Sequence, residues 1–597
     1  MHTLTFELAV AVLVLAGAAT FTAALLALVQ GSLTAAIAAT SLCIGIVLGL
    51  LSLRACRASG PELSPGRWEW ATLLLFALVA ARHFLWIVFE RSGVLYTPNA
   101  YNYGDLPLHW TYIQYFANAA PFWPENPICT GARLQYPVGI DLFNALLVKL
   151  GLSQETALRG VGLAASTALC VTLFQWGRGF AIAALLLSGG LPWLGEPFGL
   201  PAAESAWKNL FLALFVPQRG FLFALPAGLL LLWSWRERLL RRQRGLPVWV
   251  EGVLWGTMPL FHLHTFLFVS IVIVVWAIVS RRWRDAAASL AWAFLPAAWC
   301  AFEVTDGFRS ASLVLWKPGW VIGPADPLVF LLVNFTLFLP LFLWAGYRGL
   351  RARDVEGMAT ILLALALFAS LFFVMLAPWE WDNTKIMIWC YLLALPASAR
   401  LTIERFPLAA RALALFALLA PGAVAIAASM RPDHAYEVLD RSEEKAVCEG
   451  LAGLPVTERV ATVQTFNHPV ALCGHPLVAG YSGHLWSHGI RAKAVEDALR
   501  SLMMGETGWD EEAKALRARY LFWGRREDAA FVGSSRPWEQ TRRQVWESAS
   551  GRLYDLAPQD AEARSSPDPS GATARRRAFR MTTGRTEATI APPRTAF

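Results

Sequence analysis

Asp105 and His109 are four residues apart in GDLPLHWTYIQYF, and they share one face if the apolar spacing of that stretch is helical. A carboxylate beside an imidazole can take a proton from a hydroxyl group. Asp105 also suits a plainer task, capping the helix start with Pro107 in its first turn. The surrounding loop, residues 103–141, holds Glu125, Arg133, Tyr136 and Asp141 beside Trp110 and Trp123. Polar, aromatic and proline residues so dense next to a hydrophobic segment read as an active-site loop rather than a connection. FVPQRGFLFALP (215–226) supplies Arg219, and PLFHLHTF (259–266) supplies His262 and His264. An arginine and imidazoles at a bilayer interface can bind a phosphate or pyrophosphate. Their simpler roles are a snorkelling arginine and rings bonded to helix ends. APWEWDNTK (377–385) adds Trp381, Asp382, Asn383 and Lys385, the lysine suited to an anionic head group and Asp382 or Asn383 to a helix cap.

These residues need a scaffold, and the composition names it. With 56% hydrophobic and 16% charged residues over 597 positions, the chain is not an ordinary soluble enzyme. Windows with almost no charge recur at about 5–30, 33–53, 69–90, 157–175, 180–195, 220–235, 250–261, 265–280, 286–303, 327–346, 357–377, 386–400 and 406–429. The expectation is an α-helical polytopic membrane protein of about 13 segments, several shorter than the roughly 20 residues of a full span. The first segment lacks a basic leader and has a long apolar run, so it reads as a retained helix. The stretch 138–151 carries Asp141 and Lys149 and is expected to lie in the interface.

Arginine sets the expected orientation. Arg54, Arg57, Arg67, Arg178, Arg236 to Arg244, Arg281 to Arg284, Arg348 to Arg353, Arg400 and Arg405 fall in one set of loops, whereas Asp105, Glu125, Asp141, Glu196, Glu204, Asp306, Asp326, Glu380 and Asp382 fall in the other. The basic set is expected to be cytoplasmic and the acidic set outside. The formal charge of +8 is thus an orientation signal in an inner (cell) membrane protein, and no nucleic-acid partner is expected.

The expected domains are a membrane domain over 1–430 with its outer loop at 91–156, an extracytoplasmic α/β domain over 431–557, and a disordered tail over 558–597. Helical SEEKAVCEGLAGL and apolar RVATV, HPLVAG and RYLFWG set the middle region apart, and Cys448 and Cys473 would sit there in a disulfide-permissive compartment. No Walker loop, GxSxG, HExxH or CxxC occurs, and the His262/His264 pair lacks a clear third ligand. No cofactor is expected, and a divalent metal stays open if Asp105, Glu125 and Asp382 converge.

GDLPLH, the PENP segment (124–127) and LQYPVGIDLFNALLVKLG (134–151) together resemble the first outer loop of membrane glycosyltransferases of the C-type (GT-C) fold. PQRGFLFALP and WDNTK look similar to segments of related prokaryotic membrane proteins, so the likeness in layout spans about 69–400. It implies sugar transfer from a polyprenyl-phosphate donor to a glycan or lipid acceptor at the bilayer surface, with Asp105 as catalytic base. The acidic dipeptide common in that superfamily is missing, because Leu106 follows Asp105. A helping carboxylate such as Glu125 or Asp141 therefore stays open. GYSGHLWSHGI (480–490), with His484 and His488, resembles a segment of the outer domains and gains no role from the likeness. The rivals are a lipid or solute transporter, which would place paired charges at the bilayer midplane, and a non-catalytic glycan assembly or binding protein.

Overall fold

The computed structural model of the chain describes residues 3–57, 64–191, 207–309, 314–320, 326–377 and 380–557. The tail at 558–597, and Glu196 and Glu204, lie outside the described residues.

The first half of the bundle contains α1 (Thr3–Gln30), α2 (Ala35–Cys56), α3 (Arg67–Leu85), α4 (Asp105–Ala117), α5 (Gly139–Lys149), α6 (Gln154–Leu186), α7 (Phe221–Trp235) and α8 (Val248–Phe261). Then come α9 (Leu263–Ser280), α10 (Trp283–Val304), α11 (Pro327–Phe335), α12 (Phe338–Ala352), α13 (Val355–Ser370), α14 (Thr384–Leu401) and α15 (Leu408–Ser429). The helices pack in sequence-adjacent and distant pairs, α1 on α2, α3 on α6, α8 on α10 and α13 on α14. Gly45 lets α2 approach α1 closely, since a Cβ there would meet the Leu15 carbonyl oxygen at 2.7 Å. Every residue of α7 is buried, which puts this helix at the centre of the bundle.

Among the described residues, eight helices are long and apolar enough to cross a membrane, or nine if α11 and α12 form one broken span, against the expected 13 or so. The difference has physical causes. The windows 157–175 and 180–195 fall on the two sides of a break in α6, where Gly177 and Arg178 leave the helical conformation. The segment 327–346 breaks at Thr336, where φ is 41° and α11 meets α12 at 92°. The helices α7, α8 and α13 have only 15, 14 and 16 residues. An apolar run marks burial, and a helix sheathed by other helices is as apolar as one that spans.

The ends of the bundle differ in charge. Arg178 binds Glu69, Arg238 binds Glu251 and the Leu246 carbonyl, Arg241 binds Glu356, Arg282 donates to the Arg238 carbonyl, and Arg400 binds Asp354. These contacts gather the basic loops at one end. The outer loop, α4 and α5 occupy the other.

There, strands β1 (Phe89–Arg91) and β2 (Val94–Thr97) form a hairpin, and a two-residue pair β3 (Leu315–Trp316) and β4 (Val374–Met375) joins two further loops. Strand β5 (Tyr436–Asp440) adds antiparallel to β2, so the C-terminal region begins by completing the loop's sheet. The four-stranded sheet that follows runs β6 (Arg459–Ala461), β7 (Ala518–Trp523), β9 (Gly551–Asp555), β8 (Arg543–Ser548), parallel between β6 and β7 and antiparallel elsewhere. RVATV and RYLFWG are strands as expected, whereas HPLVAG forms only single bridges to Val460 and Cys129. Helices α16 (Arg441–Leu451) and α17 (Pro469–Leu472) pack together, and the Cys448–Cys473 disulfide ties α16 to the residue that ends α17, with Cα atoms 5.3 Å apart.

Candidate active site

α4 begins at Asp105, one residue after Gly104, and is amphipathic enough to bury all but its first and tenth residues. The expected capping by Asp105 is not what the carboxylate does. Gln218 Nε2 donates to Asp105 Oδ2 at 3.0 Å, and no side chain caps the helix. Asp105 keeps partial exposure, yet desolvation by the surrounding protein raises its pKa to about 6. His109, Lys385 and the Gln218 hydrogen bond pull the other way, and Asp382 adds to the rise. Asp105 is thus desolvated yet still partly exposed, and a pKa near neutrality suits a general base.

His109 faces a second carboxylate. Its Nδ1–H donates to Asp141 Oδ2 at 2.8 Å, with both side chains buried. This fixes the tautomer and leaves Nε2 as the free ring nitrogen. Asp141 comes from α5, whose early residues press against the end of α8: a Cβ on Gly139 would meet the Leu260 carbonyl oxygen at 2.8 Å. The Asp141 Oδ1 atom, the Tyr112 hydroxyl and Asn144 Oδ1 have no hydrogen-bond partner among the described residues.

Arg219 is the sharpest feature of the cleft. It is 0% exposed, and none of its three guanidinium nitrogens has a hydrogen-bond partner among the described residues. Its nearest charge influence is Asp141. A snorkelling arginine would carry its head group to water, so that role does not describe Arg219. His262 packs against the residues that follow Arg219, with Cδ2 3.5 Å from where a Cβ on Gly220 would lie and its ring centre 4.1 Å from that of Phe221. The Thr265 backbone N–H donates to His262 Nδ1 at 3.1 Å, which places the ring proton on Nε2, and that atom has no partner among the described residues. Arg219 and His262 are thus two buried donor groups from neighbouring loops with no partner among the described residues, which suits an anion.

His264, with its ring centre 5.7 Å from that of His262, hydrogen-bonds the Leu376 backbone and feels both Asp382 and Lys385. Lys385 and Asp382 are an ion pair at 2.8 Å in the turn that opens α14. Asn383 braces the same turn, donating to the Leu371 and Val374 carbonyls and accepting from the Leu376 N–H. The Trp381 side chain lies outside the described residues.

Tyr136 completes the wall. Its ring lies 5.8 Å from Tyr112 and 6.1 Å from His109, and it stacks at 4.5 Å on His488. His488 follows α18 (Ser482–Ser487), which also carries His484, bonded to the Gly104 backbone and close enough to feel His109. Burial lowers the pKa of His484 to about 4 and that of His488 to about 3, so both rings are neutral at pH 7.

Two residues expected here stand elsewhere. Glu125 is held by Arg459 and Arg517 at 3.1 and 3.0 Å, joining the outer loop to the C-terminal domain. Arg133 binds Glu303 and Asp306 at the end of α10. Both fasten the loop in place. Conversely, Gln218 was visible only as the neighbour of Arg219, and His484 and His488 were read from the sequence as rings that could bind a glycan or, more plainly, serve the structure. Among the described residues, no group of three or more His, Cys, Asp or Glu side chains has the geometry to hold a metal ion.

No protein-family model matches the sequence, and neither does any curated protein. Among solved structures, the apo form of the Archaeoglobus fulgidus oligosaccharyltransferase aligns with a TM-score of 0.42 and 12% identity, over 76% of this chain and 69% of that one. The same enzyme in complex with Zn and sulfate aligns at 0.39 and 13% identity, over 76% of this chain and 68% of that one. At those scores the likeness is too loose to assign a role to any residue.

Proposed function

We propose that this chain is a membrane glycosyltransferase that moves a sugar from a polyprenyl-phosphate donor to an acceptor hydroxyl at the outer bilayer surface, with the Asp105 end of the bundle facing outward. The observation that carries the reading is Arg219, a fully buried guanidinium without a hydrogen-bond partner among the described residues, immediately following the glutamine that binds Asp105. A buried cation left unmatched is costly, so a site that keeps one is built for an anion that arrives with the substrate.

The chemistry follows from the placement. Asp105 takes the proton of the acceptor O–H as that oxygen attacks the anomeric carbon. The bond from that carbon to the phosphate oxygen breaks, and its electron pair leaves on the phosphate. Arg219 and His262 donate to the phosphate oxygens, with Lys385 adding positive charge from its ion pair with Asp382. The carboxylate must be ionised to accept a proton, and the raised pKa of Asp105 makes it a stronger base than an ordinary aspartate while leaving it charged at pH 7. His109, oriented by Asp141, faces the same acceptor region, and the Tyr136 ring offers a face to the sugar.

Purified protein incubated with a panel of radiolabelled polyprenyl-phosphate sugars and a membrane extract tests the reading. Label should pass from lipid to a new product. Full retention of the label on every donor in the panel would count against the proposal.

A further inference from the structure

A group of aromatic rings gathers around residues 103 and 104, next to Asp105, where the outer loop meets the C-terminal region. His484 bonds the Gly104 backbone; Tyr481 lies 5.2 Å from His484, Phe466 6.2 Å from Tyr481, and Tyr103 5.5 Å from Phe466. Tyr436, on β5, stacks on Tyr103 at 5.7 Å. These rings come from separate stretches of the chain, and each keeps partial exposure. Trp486, on the same short helix as His484, is 50% exposed. Rings that only glue a loop to a domain are buried, as Trp110, Tyr112 and Phe116 are in this same loop, at 2% exposure or less.

We propose that this group of rings is the acceptor track and that its ligand is a glycan chain. The inference rests on the transfer reading above, which requires an acceptor hydroxyl beside Asp105. The electron-rich face of an aromatic ring attracts the polarised C–H groups on one side of a pyranose, while phenol and imidazole groups at the ring edges meet its hydroxyls. Successive rings repeat that contact along a chain of sugars, as aromatic platforms do along single-stranded nucleic acid. A peptide acceptor would instead draw on main-chain hydrogen bonds along a strand edge, which side-chain rings do not offer. The track thereby gives the C-terminal domain a task, holding the acceptor chain with its end at the base.

Full-length protein in lipid nanodiscs, titrated with linear neutral oligosaccharides of two to six hexoses and, separately, with hexapeptides, tests the assignment by calorimetry and saturation-transfer NMR. Oligosaccharides should bind more tightly as they lengthen. Tyr103→Leu and Tyr481→Leu, which keep apolar volume and remove a ring face, should each weaken binding about tenfold. Their thermal unfolding should match the parent's, and Trp68→Leu, at the arginine-rich end, should leave binding unchanged. Absence of oligosaccharide binding, equal binding by the tyrosine variants, or preference for the peptides would overturn the track. Transfer of sugar to a non-glycan acceptor, with no oligosaccharide bound, would remove the track and leave the proposed enzyme standing. Ring-dependent oligosaccharide binding without transfer from any donor would do the reverse.

Discussion

Arg219 and Arg238 flank opposite ends of α7, and the bundle treats them in opposite ways. Arg238 donates to both oxygens of Glu251 at 2.9 Å, to Ser289 and to the Leu246 carbonyl, and Glu251 in turn accepts from Ser234 and Ser289 at 2.5 Å. Arg219 has no hydrogen-bond partner among the described residues. Scaffold charges arrive already matched, because an unmatched one costs several kcal/mol on burial. A guanidinium left without a hydrogen bond, one residue after the glutamine that binds Asp105, therefore suits a substrate anion rather than the fold. The contrast separates a buried arginine from a half-buried one that hydropathy alone does not tell apart.

The comparison can be broken at its scaffold end first. Glu251→Ala strands Arg238 in the bundle and should destabilise the protein by about 3–5 kcal/mol, read as a shift in its unfolding transition in detergent. The same measurement on Arg219→Met should show a much smaller loss, because the change removes a guanidinium that makes no hydrogen bond among the described residues and has only the nearby Asp141 charge to offset it. Polyprenyl-phosphate binding by that variant should nevertheless fall about tenfold or more. A large loss of stability in Arg219→Met would make Arg219 a scaffold residue after all.

A smaller effect sharpens the cleft end. The Asp105 pKa lies above its unfolded value, so the neutral form is favoured in the fold. Its stabilising contribution is present below about pH 4, and it is lost as pH rises through about 6. Asp105→Asn does not titrate. The stability of the Asn variant relative to the parent should therefore improve by about 1 kcal/mol between pH 4 and pH 8, the size discounted for partial exposure. Unfolding curves at the two pH values check it, and a constant difference would argue that Asp105 is not desolvated.

Much of this cleft was legible along the chain. Asp105, Arg219 and His262 stand out because polar groups at the ends of apolar segments need a reason, and Asp105 with His109 follows from helical spacing. The partners of those groups were not legible. Asp141 reaches His109 from 32 residues away, Gln218 reaches Asp105 from 113, and His488 arrives from the C-terminal region. Glu125 and Arg133 misled for the same reason: local sequence reports a charge, and only tertiary contacts decide whether it is matched. The number of spans stays at eight or nine by length and composition among the described residues, because hydropathy registers burial in protein as readily as burial in lipid, and short helices such as α7 and α8 carry the same signal as longer ones.

The most direct test compares the parent with Asp105→Asn in transfer from a polyprenyl-phosphate sugar, measured across pH 5 to 8. The parent rate should fall as pH drops through about 6, where Asp105 takes up a proton. The Asn variant keeps the size and the hydrogen-bonding reach of the side chain but not the base, and it should be slower by about 100-fold or more at pH 7.5 while remaining folded. A near-parental rate in the Asn variant, with the same pH profile, would contradict the assignment of Asp105 as the base.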